Sequence, residues 1–179
     1  GIDSAGESKA ARMKTLILFR HAKAERKSSS GDDFARDLTE RGVKDAELMG
    51  RVLAKAGYKP DAAIVSAARR TRETWEHASA PFAGVATAYS RRLYEASPRT
   101  LMEAAETELK RANCVVLVAH NPGVQELAVA LLKQGGAPAA DIARVQAEFP
   151  TSAIAAFSVA DDGGLSAARL FYPADHGGK

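Results

Sequence analysis

Two stretches of the chain set an imidazole at the end of an apolar run: Thr15-Leu16-Ile17-Leu18-Phe19-Arg20-His21, and Cys114-Val115-Val116-Leu117-Val118-Ala119-His120, which continues into Asn121-Pro122-Gly123. A third run, Ala62-Ala63-Ile64-Val65-Ser66, leads at once to Arg69, Arg70 and Arg72. Unbroken apolar runs of this kind read as strands covered on both faces. In open α/β sheets, ligands lie beyond the carboxyl ends of such strands. If the three strands are parallel neighbours, two histidines and at least two arginines converge on one edge. Guanidinium forks suit tetrahedral oxyanions, and an imidazole with a free nitrogen is a nucleophile. The pattern predicts an anion site with a nucleophile in it.

The elements that must position these groups alternate between strand and helix. Thr39 is a plausible N-cap, and Val43, Ala46, Met49, Val52, Leu53 and Ala56 recur at helical spacing before Gly57. A second helix is expected over 69–77, carrying Trp75 against the sheet and His77 at the surface. A short edge strand is expected near 85–89. Ser97-Pro98 opens a helix running to about 111, and another is expected over 122–133. The stretch 134–150, with Gly135-Gly136 and two prolines, reads as a connection with about one helical turn. The chain closes on a hairpin, 153–159 and 165–172, around Asp161-Asp162-Gly163-Gly164. This order predicts an α/β fold: a three-layer α/β/α sandwich with a mainly parallel central sheet and an antiparallel C-terminal edge.

With 179 residues the chain fits a single domain over 13–179, preceded by a polar stretch, 1–12, that reads as a disordered extension or an expression remnant. The hydrophobic fraction of 46% contains much alanine, as expected of small helices packed on a sheet. The lone cysteine, Cys114, excludes an internal disulfide framework and reads as a packed apolar residue. No run reaches the roughly 18 apolar residues of a membrane helix, and a cytoplasmic location is expected. A net charge of +3 is too small to select nucleic acid over a phosphorylated partner. Binding of nucleic acid through Arg69, Arg70, Arg72, Arg91 and Arg92 is disfavoured because aromatics are not interleaved with them. Cys114 is followed six residues on by histidine, not arginine, which excludes a cysteine-phosphatase loop. Nucleotide-binding P-loops and serine nucleophile elbows are absent. No metal or other cofactor is expected, because the four histidines lack a paired acidic pattern.

Arg20-His21-Ala22 resembles the Arg-His-Gly signature of the histidine phosphatase (phosphoglycerate mutase-like) superfamily. Ser66, Arg70 and Thr74 are similar to its Ser-Pro-x-x-Arg-x-x-x-Thr segment, and His120 falls where its second histidine falls. Chain length, the Arg20-His21-Ala22-Lys23 form of the first motif and Thr151-Ser152-Ala153-Ile154 are similar to the SixA-type phosphohistidine phosphatases. The likeness covers 13–159. Two departures stand out: Ala22 replaces the commoner glycine, and Ala67 the usual proline.

The resemblance implies roles. His21 attacks phosphorus and carries the phosphoryl group as a phosphohistidine, while Arg20, Arg70 and a cationic His120 surround the phosphoryl oxygens. Only the spacing from Ser66 selects Arg70 over Arg69 and Arg72. Leu93-Tyr94-Glu95 is similar to the segment that carries the proton donor in the mutase branch. Glu95 is therefore either that donor or a salt-bridge partner of Arg91, Arg92 or Arg99. Asn121 either binds phosphate or caps the helix opened by Pro122. Residues 25–37 read as an exposed loop in which Lys23, Arg26 and Lys27 border the pocket or are simply solvated.

The short span between Arg70 and Glu95 leaves little chain for a lid, so an open pocket accepting a protein side chain is expected. The expected partner is a phosphohistidine-bearing protein. The alternatives are a small phosphate ester as substrate, or a non-catalytic phosphate-binding module.

Overall fold

The computed structural model of the protein describes residues 13–179; the reading of residues 1–12 lies outside them. Six strands form one sheet: β1 (Lys14–Arg20), β2 (Ala62–Ser66), β3 (Ala86–Ser90), β4 (Cys114–Ala119), β5 (Ile154–Val159) and β6 (Leu165–Phe171). Their spatial order is β3-β2-β4-β1-β5-β6. The first four lie parallel, β5 runs antiparallel to β1, and β6 antiparallel to β5. This is the sandwich expected from the alternation of elements, with its antiparallel edge at the C-terminal hairpin.

The helices are α1 (Glu40–Lys55), α2 (Arg69–Ala78), α3 (Pro98–Leu109), α4 (Gly123–Gln134) and α5 (Ala139–Ala147). Side chains alternate across a strand, and β1 uses both sides. Leu16 and Leu18 pack with Leu101 of α3 and Leu127 of α4. Ile17 and Phe19 pack with Met49 and Leu53 of α1 and Trp75 of α2. All four β1 side chains are fully buried, each contributing about 1.5–3 kcal/mol of transfer free energy. Two cores, one on each face, explain why β1 shows an unbroken apolar run. A single wet face would have produced alternation.

The caps fall where the side chains predict. Thr39 accepts from the Gly42 N–H at the start of α1, and Ser97 accepts from Thr100 at the start of α3. Trp75 is buried and donates its indole N–H to Thr87, whereas His77 lies at the surface 3.8 Å from Glu47. Cys114 is buried, and that burial pushes its thiol up to about 11. Among the described residues no helix is long and apolar enough to cross a membrane.

Two segments differ from expectation. Residues 134–150 contain a full nine-residue helix, α5, and not one turn. Pro138 sets its start, and the Gly135-Gly136 and Pro150 that bracket it read in the sequence as a connection. The loop 25–37 is not simply solvated: a 3-10 turn, Asp33–Ala35, folds inward over the ends of the parallel strands, and Ala24 pairs with Leu38 at the base of the loop.

Candidate active site

The pairing of β1 with β4 places Arg20 opposite Ala119. His21 and His120 therefore leave the sheet side by side, one residue further on. The His21 N–H donates to the Ala119 carbonyl at 3.1 Å. The two rings face each other with centroids 5.3 Å apart and planes at 54°. From the antiparallel side, the Ser152 N–H donates to the His21 carbonyl and the Ala153 carbonyl accepts from the Arg20 N–H, both at 3.0 Å. The stretch Thr151-Ser152-Ala153-Ile154 thus clamps the main chain that carries the first histidine.

Both imidazoles are more than nine-tenths buried. The Nδ1 atom of His21 lies 2.7 Å from the Ala22 carbonyl oxygen. A carbonyl only accepts, so the ring proton sits on Nδ1 and the Nε2 lone pair is free. Burial drives the pKa of His21 well below its usual value, with smaller lowering by His120, Arg20 and Arg70, against the raising effect of the Ala22 hydrogen bond. The ring is therefore neutral at physiological pH. His120 is lowered to about 3, chiefly by burial and then by Arg70, partly countered by Asp33. It too is neutral at physiological pH, with Nε2 2.7 Å from the Ser66 hydroxyl.

The two arginines enter from opposite sides. Arg70, on the first turn of α2, is 5% exposed, and Thr74 ties that turn to the histidine. The Thr74 hydroxyl donates to the Arg70 carbonyl at 2.6 Å and accepts from the Ala22 N–H at 2.9 Å. Arg20 donates through Nη1 to the Phe149 carbonyl at 3.0 Å, and the Asn121 amide donates to the same oxygen at 2.9 Å. Asn121 therefore does not cap α4, whose N-cap position is Pro122 without a side-chain bond. Arg69 and Arg72 point elsewhere: Arg69 pairs with Glu73 and Arg72 lies over Tyr89. Of the three arginines, Arg70 is the one whose charge bears on both histidines.

Three buried nitrogens in this group lack a partner: Nε of Arg20, Nε of Arg70 and Nδ1 of His120. Buried polar atoms are nearly always satisfied. These donors are uncommitted to any other group among the described residues, beside the two imidazoles.

Glu95 is exposed at the rim, with its backbone at φ 55. A cavity of about 480 Å³ lies beside it, lined also by His120, Asn121 and Glu126. A side chain on Gly123 would lie 2.2 Å from the Ala96 carbonyl, so this glycine lets the Glu95-Ala96 segment press against the start of α4. The salt-bridge alternative for Glu95 is not what the fold uses: Arg92 and Arg99 pair with Glu103, and Arg91 lies over Phe34. Lys23, Arg26 and Lys27 are exposed.

Sequence reasoning missed Asp33 and Tyr94. The Asp33 main-chain oxygen and carboxylate accept both terminal nitrogens of Arg70, and the Tyr94 hydroxyl donates to the same carboxylate. The Tyr94 ring stands edge-on to His120, 5.5 Å between centroids. Nothing in a loop rich in serine and aspartate distinguishes Asp33 from its neighbours, and beside the carboxylate of Glu95 the Tyr94 hydroxyl carries no separate signal.

A family model described as histidine phosphatase superfamily (branch 1) matches residues 16–114. An uncharacterized protein of Mycobacterium tuberculosis is 34% identical over 144 residues, spanning 79% of this chain and 87% of its own. The chain belongs to the histidine phosphatase superfamily. Among solved structures of the superfamily, a candidate phosphohistidine phosphatase SixA from Agrobacterium tumefaciens is 27% identical, with TM-score 0.73 over 89% of this chain and 96% of that one. Two others share the fold: a candidate SixA from Nakamurella multipartitia, 24% identical with TM-score 0.76 over 90% and 96%, and SixA complexed with tungstate, 20% identical with TM-score 0.70 over 90% and 98%. The histidine phosphatase described here is an enzyme of the SixA-like branch, and phosphoryl groups are its substrate class.

Proposed function

We propose that the protein is a metal-independent phosphatase that hydrolyses phosphohistidine on a protein through a phosphohistidine of its own at His21. The observation that carries this reading is the state of His21. Its Nδ1–H is tied to the Ala22 carbonyl, and burial keeps the ring neutral, which leaves Nε2 as a nucleophile beside orphan nitrogens of Arg20, Arg70 and His120. In the first step Nε2 bonds to phosphorus, the bond to the leaving atom breaks, and the electron pair departs with the leaving group, which takes a proton. In the second, water attacks phosphorus, the P–Nε2 bond breaks, and His21 recovers its lone pair as inorganic phosphate leaves.

Arg20 and Arg70 supply fixed positive charge around the equatorial oxygens, the electrostatic work that a metal performs in other phosphoryl-transfer sites. His120, neutral in the free site, gains a proton as a dianion arrives beside it, because an adjacent negative charge favours the charged imidazole. Asn121 acts through Arg20, since the two share the Phe149 carbonyl. Support for a phosphohistidine substrate comes from the likeness to the Agrobacterium tumefaciens protein and from chemistry. An imidazole leaves readily once protonated, so the site needs no buried acid, and Glu95 is exposed.

A second reading rests on the cavity of about 480 Å³ between Glu95 and His120. It has room for a small phosphate ester, and Glu95 would then protonate the departing alkoxide. Steady-state turnover of a histidine-phosphorylated carrier protein and of a panel of small phosphomonoesters separates the two. The proposal expects kcat/KM to be higher for the protein and unaffected by Glu95→Gln. Efficient turnover of an ester, lost in Glu95→Gln, together with inert phosphohistidine protein, overturns it.

A further inference from the structure

Arg70 meets Asp33 end-on. Its Nη1 donates to the Asp33 main-chain oxygen at 2.9 Å and its Nη2 to Oδ2 at 3.2 Å, while Nε is buried without a partner. The same Oδ2 accepts the Tyr94 hydroxyl, and Oδ1 accepts Nε of Arg36 at 2.9 Å. The turn that presents Asp33 is itself fixed. Asp32 accepts from the Phe34 N–H, the Phe34 ring meets Tyr94 edge-on with centroids 5.0 Å apart, and Arg91 covers Phe34 at 4.5 Å. Hydrogen bonds to the carboxylate, from Tyr94 first, hold the Asp33 pKa below its usual value despite partial burial, so the carboxylate is anionic at neutral pH.

A guanidinium has five N–H donors in a rigid plane. Two are taken at its far end, and the unpartnered Nε lies on its side edge. We propose that Asp33 is a positioning residue: it grips the far end of Arg70 and, with Tyr94, turns the Nε edge of that guanidinium toward the phosphoryl oxygens. This rests on the reading of Arg70 as a phosphoryl ligand. It gives the loop 25–37 a function, since the loop following the nucleophile strand orients the arginine of a different element. Asp33 touches no substrate in this account; it acts through Arg70. The opposite possibility is an internal anion that occupies Arg70 until phosphate displaces it. That arrangement would engage the side edge as well, because a competitor blocks the donors its rival needs. Here the side edge is left alone.

A double-mutant cycle with Asp33→Ala and Arg70→Ala, read as kcat/KM for p-nitrophenyl phosphate and as inhibition by inorganic phosphate, tests the inference. Arg70→Ala alone should lower kcat/KM by about a hundredfold or more, and Asp33→Ala alone by about tenfold, as expected for a charge-assisted pair whose loss loosens a transition-state donor. In the Arg70→Ala background Asp33→Ala should change nothing further. Tyr94→Phe should act in the same direction, more weakly, and likewise vanish without Arg70. These variants and Asp33→Asn carry the test if Asp33→Ala does not fold. Equal tenfold losses in both backgrounds would show that Asp33 only holds the loop, and the inference fails. Tighter inhibition by phosphate in Asp33→Asn would show an internal competitor, and it fails again. Wild-type turnover by Arg70→Ala would instead remove the reading of Arg70 on which the inference stands.

Discussion

At the scale of single residues, the site depends on keeping two histidines uncharged where two arginines are crowded in. His21 and His120 are buried beside Arg20 and Arg70, and of the groups around them only the Ala22 carbonyl and Asp33 favour protonation. That has a consequence for stability. Both folded-state pKa values lie below the unfolded histidine value of about 6.5, His120 at about 3. Between those limits the unfolded chain binds more protons than the folded one, so stability is full above about pH 6.5 and is lost as pH falls toward 3. Each such histidine contributes a slope of up to about 1.4 kcal/mol per pH unit in that window. Urea unfolding from pH 7 to pH 4.5 should therefore show a steep acid loss that His120→Asn makes shallower. An unchanged slope in that variant contradicts the buried, neutral imidazole.

Elements bring these residues together by close backbone approach. Helix α1 is pressed on the chain just after His21: Thr39 donates its N–H to the Lys23 carbonyl at 2.9 Å, and a Cβ on Gly42 would lie 2.1 Å from that same oxygen. Gly42→Ala must push Lys23 away, two residues from the nucleophile. It should cost about 1–3 kcal/mol in stability and lower kcat, measured by urea unfolding and steady-state kinetics. Gly57, at φ 94 with open space around it, serves as the control. Gly57→Ala should cost stability through backbone strain alone and leave kcat unchanged; matching losses of kcat in both variants would contradict a local route from α1 to His21.

The same scale shows what the sequence made legible. Strand ends were readable because β1, β2 and β4 are buried on both faces, and the histidines and Arg70 follow directly from them. Residues held by tertiary contact were not. Asp33 gains its role from Arg70, 37 positions away, and the Phe149 carbonyl from Arg20, 129 positions away; neither leaves a mark in local composition. Helix α5 is masked by its surroundings: it is nine residues long and sits between Gly135-Gly136-Ala137-Pro138 and Pro150, punctuation that reads as a connection.

For the molecule as a whole, the parallel order β2-β4-β1 is the arrangement that matters. It sets Ser66, His120 and His21 along one edge, and Ser152 and Ala153, which lead into the antiparallel β5, close the other side with main-chain bonds to His21 and Arg20. Two cores, one per face, hold that edge rigid, and the covering pieces, the turn Asp33–Ala35 and the segment around Tyr94, are added from outside the sheet. The superfamily match over 16–114 spans β1 and β2 and reaches the start of β4, so His120 lies just beyond it and is placed by strand register. The central claim is that His21 Nε2, and not His120, takes the phosphoryl group. Acid-free, alkaline quenching of a single turnover with radiolabelled substrate, followed by peptide mapping, tests it most directly. A transient, stoichiometric label is expected on His21 and is absent in His21→Ala. Label on His120, or turnover without any covalent phosphoenzyme, would contradict it.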